Sequence, residues 1–498
     1  MMSIKKTISV CMALIFLAAF SFSVLLHVQI NADVLYPFSF AKDLITHLSI
    51  RHWYYPGPLF IFPDVLLSIA IVAFVKTPVL WAALFSFIQI LALIILIAAF
   101  SQDKKTLPFS IKFTAGIYLT ALIYFVGRVL FHTQWAMIAD KSGVAVHHMS
   151  GALAALLLFF LTVPTTFSKA SAKKIIFILC FMFLMSFSDP YFDYYFFMLI
   201  LPYLFIDRLR LFQLKHWVRT MIGIAIAGIS GILLNGMLNP GLWIEFHTSH
   251  TDSTLLNIVQ NTQNFRYTMG WAGILLVFVL PLLLLFLAIK HKKTHLFSLC
   301  ISMEFISIGC LLLDMFKGDM SFLRYIDIYF PIIIYAAFEL TSLRFFKLTQ
   351  TMSVAIIAIL IAFFYAHHNF KHTHVAIFPQ EFHAVLACPD LHKTMPNTVF
   401  VATYWPAKVL FEATNRTASM IEINPDMTAY PWIYNPAWQN ISKNPSSLLI
   451  STYQLDPTKI AALSALSNAE TLCNGQLIHV PFGPKLFKLA PILKKHEV

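Results

Sequence analysis

Long apolar runs separated by short polar loops dominate the chain. Runs over 7–27, 59–75, 79–100, 109–131, 148–168, 175–187, 194–206, 221–238, 271–289, 296–315, 325–341 and 350–366 are candidate membrane spans, since a helix needs roughly 20 apolar residues to cross the hydrocarbon layer. Basic clusters punctuate them at Asp103-Lys-Lys105, 169–174, 207–219, 290–293 and 344–347. Excess Lys and Arg in short loops marks the cytoplasmic side, so the intervening loops, rich in His, Trp, Asn and Thr, face outward. Twelve crossings from a cytoplasmic N-terminus would return the tail to the cytoplasm, and the conflict with an outward tail localises to 59–100. Either 59–75 does not cross fully or the 103–105 cluster sits on the other side, and we expect about 11 spans. The runs at 175–187 and 194–206, about 13 residues each, read as half-spans meeting at Ser188-Asp189-Pro190.

After Tyr365-Ala-His-His368 the pattern changes. Short β-branched runs at Thr398–Thr403 and Ser447–Thr452 alternate with a helical stretch at Pro457–Ala469, which predicts a small α/β domain. The expected organisation is a polytopic α-helical membrane domain over 1–366, with a first external loop at 28–58, followed by an extracytoplasmic α/β domain over 367–498. Within the loop an amphipathic interfacial helix is expected over 38–50.

Composition agrees. Hydrophobic residues make up 59% and charged residues 12% of the chain, against about 25% charged in soluble domains. The formal charge of +12 resides in the inter-span loops, so it marks orientation and gives no reason to expect a nucleic-acid partner. Forty-eight Phe against 16 Gly predict bulky span packing without seams of small residues. Lys5 and Lys6 precede the first run with no small-residue cleavage site after it, which reads as an uncleaved signal anchor with its N-terminus in the cytoplasm, in a membrane of the bacterial inner or plasma type. Cys11, Cys180, Cys300 and Cys310 lie inside spans. Cys388 and Cys473 share the tail, either as one disulfide in an oxidising compartment or as two free thiols. Walker loop, GxGxxG, zinc-type CxxC and HExxH motifs do not occur.

Candidate chemistry gathers at the outer loops. Asp33 follows the first span within a few residues, where a carboxylate is costly unless used or paired, and reads either as a general base or metal ligand or as a solvated interfacial carboxylate. The same loop carries Asp43, Arg51, His52, Trp53, Tyr54, Tyr55 and Asp64 as substrate-contact candidates, with Asp64 also placed to complement a helix dipole. Asp189 and Asp193, four apart, would share a helix face and could flank a divalent cation such as Mg2+ or Mn2+. Ser188 or Asp189 could equally be a helix cap. Arg128, near His132, His147 and His148 at a span boundary, could bind a lipid phosphate or simply snorkel to the interface. Arg324, beside Tyr325 at the start of the span bearing Asp327 and Pro331, could fork onto a phosphate or pair with a local acid. In the tail, Ala402-Thr-Tyr-Trp-Pro-Ala-Lys408 and Tyr430-Pro-Trp-Ile-Tyr-Asn435 offer aromatic faces that pack into cores or stack on sugar rings.

This layout resembles the glycosyltransferase C-fold superfamily. The resemblance rests on Asp33 in the first external loop, Asp189 more loosely as a second acid, Arg324-Tyr325 with Pro331, and an external C-terminal domain. It implies transfer of a sugar from a polyprenyl-phosphate-linked donor to an envelope glycan, lipid or protein acceptor on the outer face, with membrane lipid as a further partner. Asp33 would be the base, Arg324 and Arg128 would neutralise the phosphate, and Trp53, Tyr54 and Tyr55 would lie near the sugar or acceptor. Asp33 is followed by Val34, where some members have a second acid. A transporter or flippase of a lipid-linked substrate, and an envelope protein with a carbohydrate-binding tail, are the alternatives.

Overall fold

The structure, a computed structural model, describes residues 4–27, 30–48, 53, 55–56, 58–101, 107–139, 149–163, 172–208, 214–238, 270–317, 326–341, 378–396, 398–428, 430, 435–441, 445–466 and 468–481. The chain divides into two compact units. One comprises Met1–Val28, Gly57–Asp64 and Ala83–His367, the other Gln29–Pro56, Val65–Ala82 and His368–Val498.

The first unit is built of apolar helices. Its principal members are α1 (Ile4–His27), the bulk of α4 (Pro78–Phe100), α5 (Phe109–Ala139), α6 (Met149–Thr162), α7 (Ala172–Ser188), α8 (Tyr191–Arg208), α9 (Leu214–Leu238), α10 (Leu280–Lys290), α11 (Thr294–Lys317) and α12 (Tyr329–Leu340). Among the described residues five segments are long and apolar enough to cross a membrane: Thr7–Leu25, Pro78–Phe100, Phe109–Phe131, Met221–Leu238 and Gly270–Lys290. Their outer faces are greasy. Ile222, Ile226, Ile229 and Leu233 on α9, and Leu282, Leu283, Phe286 and Ile289 on α10, are more than half exposed, an arrangement that is stable where the surrounding solvent is hydrocarbon.

The run at 59–75 does not form a spanning helix. Phe62 has non-helical dihedrals inside the turn Ile61–Val65, and α3 (Leu66–Val72) has seven residues, about 10 Å of helix against a core of about 30 Å. By contrast α7 and α8 extend beyond the expected half-spans, to 17 and 18 residues, or about 26 Å each. They turn at Asp189-Pro190, where Asp189 Oδ1 accepts from Tyr191 N at 3.1 Å, the capping role weighed for it. The corner is tied to the chain before α3, because Ser188 O accepts from Phe60 N at 2.9 Å and Ser188 Oγ from Phe62 N at 2.7 Å.

The expectation of helix packing without small-residue seams is corrected at α7 and α9. An added Cβ at Gly231 would stand 2.8 Å from Phe187 N, and one at Gly228 2.9 Å from Met182 Cε. The low overall glycine content hid a local cluster, Gly223, Gly228 and Gly231, that lets two backbones approach.

The second unit contains a five-stranded sheet of order β2-β1-β3-β5-β4. Strands β1 (Thr398–Thr403), β2 (Ser419–Ile423) and β3 (Ser447–Ser451) are parallel, while β5 (Leu477–Pro481) runs antiparallel to β3 and to β4 (Glu470–Leu472). The β-branched runs read from the sequence are β1 and β3. Val399, Val401, Ile421, Ile423, Leu448, Ile450, Ile478 and Val480 form one buried face with Leu455 and Leu463, and Phe400, Ala402, Met420 and Leu449, on the alternate positions, are fully buried as well. A parallel sheet covered on both sides reads as a continuous apolar run. The helix Tyr404–Ala413, here α15 after α13 (His383–Leu386) and α14 (Pro389–Thr394), joins β1 to β2, and α16 (Pro457–Ser464) follows β3.

Residues 29–56 belong by contact to this second unit. The expected helix over 38–50 is α2 (Tyr36–Ile45), with Tyr36, Pro37, Phe38, Ser39, Ala41 and Asp43 buried. Cys388 and Cys473 form a disulfide across 85 residues. Closing a loop of that length removes enough unfolded-state entropy to stabilise by about 2–5 kcal/mol. Cys388→Ser together with Cys473→Ser should therefore lower the unfolding midpoint of the sheet-bearing unit by an equivalent amount, read by thermal unfolding with thiol alkylation and mass spectrometry confirming the oxidised pair in the parent. An unchanged midpoint would remove the bond from the account of stability.

Candidate functional site

Asp33 sits in a turn that its neighbours fold locally. Asn31 Oδ1 accepts from Val34 N at 3.0 Å, Asn31 O accepts from Leu35 N at 3.2 Å and Asp33 O from Tyr36 N at 3.0 Å. Pro37 in the first turn of α2 then starts the helix with its fixed φ. The Asp33 carboxylate is half-buried and accepts a short hydrogen bond from the Tyr404 hydroxyl, from the first residue of α15.

Tyr404 is the centre of an aromatic and charged group. Trp405 lies edge-on at 5.1 Å and Tyr430 at 6.1 Å between centroids. Burial, then the Asp33 charge, raises the Tyr404 phenol well above its ordinary value, so it remains a donor. Lys408, one turn further along α15, is fully buried and holds Nζ 4.9 Å above the Tyr404 ring. Its Nζ has no hydrogen-bond acceptor among the described residues. Burial pulls the amine down to about 8, and the Glu422, Asp33 and Glu412 charges oppose that fall. Glu422, on β2, is 3% exposed.

A second network lies between α2 and α15. Arg416 donates from Nε to both Glu412 oxygens at 2.9 and 3.1 Å, from Nη2 to Glu412 Oε1 at 2.6 Å and to Ser39 O at 3.0 Å, and from Nη1 to Asp43. Lys42 Nζ and Ser39 Oγ donate to Glu412 at 3.3 and 2.6 Å. Asp43 takes further bonds from Trp53 Nε1 at 2.8 Å, Asn435 Nδ2 at 2.5 Å and Trp438 Nε1 at 3.1 Å. Arg416 also lies 5.4 Å from the Phe411 and Trp438 ring centroids. Burial alone would raise the Glu412 carboxyl, but the Arg416 and Lys42 charges outweigh it and hold it down to about 2. Two cations and two carboxylates make this a neutral, densely bonded knot.

The sequence candidates divide accordingly. Asp33 belongs to the half-open Tyr404 group. Asp43 and Trp53 are buried and bonded to each other inside the knot, which gives them a structural task, and Tyr55 is half-buried at 6.2 Å from Trp53. Asp64, Asp189 and Asp193 are buried in the other unit, and Arg128 is half-buried on α5. Arg51, His52, Tyr54, His147, His148, Arg324 and Tyr325 lie outside the described residues. Among the described residues no group of three or more His, Cys, Asp or Glu side chains is placed to hold a metal ion. Sequence reading named the Ala402–Lys408 stretch for its rings but missed Lys408 itself, Glu412 and Arg416. Their signal was charge at every fourth position, Lys408 and Glu412 within α15 and Arg416 just past its end.

No family model matches the chain, and no curated protein matches it.

The Lys408 amine supplies a pH test. Its folded-state affinity for a proton is lower than in the unfolded chain, so between about pH 8 and the ordinary lysine value of 10.5 the unfolded state binds more protons and stability rises with pH. The wild type should gain up to about 3 kcal/mol across that window relative to Lys408→Met, measured by thermal unfolding of both proteins from neutral pH upward. Parallel profiles would contradict the buried, charged amine.

Proposed function

We propose that the protein is an integral membrane glycosyltransferase resembling the C-fold superfamily, with about 11 spans, a cytoplasmic N-terminus and an outward sheet-bearing unit. It transfers a sugar from a polyprenyl-phosphate-linked donor to an envelope glycan, lipid or protein acceptor at the external face. The observation that carries this reading is the half-buried Asp33 carboxylate, oriented by the hydroxyl of Tyr404, whose ring lies against Trp405 and Tyr430.

A carboxylate so placed has the properties of a general base. Tyr404 occupies one oxygen and remains protonated, leaving lone pairs on the carboxylate for an incoming hydroxyl. As the acceptor oxygen bonds to the anomeric carbon, its proton passes to Asp33, the bond from that carbon to the phosphate oxygen breaks, and the lipid phosphate departs with the electron pair. The rings offer the apolar faces on which a pyranose stacks. Arg324 and Arg128 are the cations assigned to the departing phosphate. The Cys388–Cys473 disulfide supports an oxidising, outward location for this unit.

Asp33→Asn keeps the acceptor oxygen for Tyr404 and removes the base. Transfer from a labelled polyprenyl-phosphate sugar in membranes should fall by about 100-fold or more, with expression and insertion unchanged. Mass spectrometry of envelope glycans and lipid-linked sugars from cells lacking the protein supplies the substrate. Wild-type transfer by the variant would remove the base assignment.

A further inference from the structure

The short helix α3 and the turn after it carry an apolar face that the fold leaves uncovered. Leu66 is 51% exposed, and Ala70 and Ala73 on the same side are exposed as well. The winding continues past the end of α3, where Ile71 O accepts from Phe74 N at 3.0 Å and from Val75 N at 2.9 Å. Phe74, two steps of four beyond Leu66, therefore joins that face, and it is 90% exposed. The face is fixed outward. Ser68, Ile71 and Val72, on the opposite side, are buried, Ser68 Oγ accepts from Trp81 Nε1 at 3.1 Å, and the Trp81 ring lies 5.4 Å from that of Phe38 in α2. The helix expected at the interface, α2, is itself largely buried, so the uncovered face falls to α3.

Two observations name what covers it. The chain on either side leads into apolar helices, for Thr7–Leu25 precedes this region and Pro78–Phe100 follows it, and both are long and apolar enough to cross a membrane. Phe74 stands four residues ahead of Pro78, at most about 14 Å of chain, and is within reach of the lipid that α4 enters. The exposed grease is also confined to this part of the second unit. Among the described residues of 378–481 only Leu466, at 39%, leaves a large apolar side chain exposed, as suits a surface in water. Lys76, exposed two positions after Phe74, has a stem long enough to follow the apolar surface and set its ammonium among lipid phosphates.

We propose that α3 is an interfacial helix lying along the membrane surface, with Leu66, Ala70, Ala73 and Phe74 at the boundary between headgroups and acyl chains. A stripe that runs the whole length of a helix meets a flat surface only when the axis lies along that surface. The partner is the lipid bilayer, on which α3 seats the second unit. This seat is independent of the transfer reaction.

Tryptophan fluorescence of the full-length protein in vesicles of phosphatidylcholine and phosphatidylglycerol tests the seat. Phe74→Trp and Ala70→Trp each add one indole at an exposed position, and subtracting wild-type emission isolates it. Both added indoles should emit to the blue of an indole in water, lose most of their intensity to lipids brominated on the acyl chain near the headgroup, and be shielded from aqueous iodide. Added emission that iodide quenches and brominated lipid leaves unchanged would overturn the proposal. So would stronger quenching by lipids brominated near the chain terminus, which would place the helix deep in the hydrocarbon.

Discussion

Burial of charge between α2 and α15 is the constraint on which the second unit depends. Asp43, Glu412, Arg416 and Lys42 leave water together, and each ion would cost several kcal/mol if buried alone. The expense is offset because the set is neutral and because the guanidinium spends its donors on two carboxylates and a main-chain carbonyl. Arg416 does this from a left-handed backbone, φ 60°, which favours glycine and costs an L-residue about 1 kcal/mol or more. The knot over-determines that conformation. Removing one partner from such a set leaves an unpaired buried ion, typically a loss of about 3–5 kcal/mol.

The same knot sets the geometry of the candidate site. Ser39, Lys42 and Asp43 of α2 meet Glu412, Asn415 and Arg416 at the end of α15, and Asp33, just ahead of α2, meets Tyr404 at the start of α15. Two contacts, start with start and end with end, fix α2 and α15 side by side in the same sense. Asp33 is therefore held by a rigid pair of helices although it lies on a turn. The chemistry follows from placement: an acid with one oxygen oriented, a phenol kept protonated by burial and by that acid, and an amine whose charge bears on both.

Much of the architecture was legible because hydrophobic period is local information. The long apolar runs gave the apolar helices, five segments of which are long enough to cross a membrane among the described residues, and the β-branched runs gave β1 and β3. What escaped depended on pairing across about 370 positions, as in the 373 residues between Asp43 and Arg416. An amphipathic reading of α2 placed Asp43 at an interface, whereas the structure buries it under Trp53 and Trp438. Lys408, Glu412 and Arg416 recur at every fourth position, but α15 ends at Ala413, so only Lys408 and Glu412 share its face. Glu412 and Arg416 are held inward by Lys42 and Asp43 of α2. The run at 59–75, already a place where the expected crossing count faltered, is broken for a local reason, the non-helical Phe62 ahead of Pro63.

A double-mutant cycle on Asp43→Asn and Arg416→Gln tests most directly whether these two residues clasp the first loop to the sheet-bearing unit. Unfolding free energies of the wild type, both single variants and the double variant of the full chain should give a coupling of about 2 kcal/mol or more. Additive losses, with coupling within about 0.5 kcal/mol of zero, would contradict the clasp.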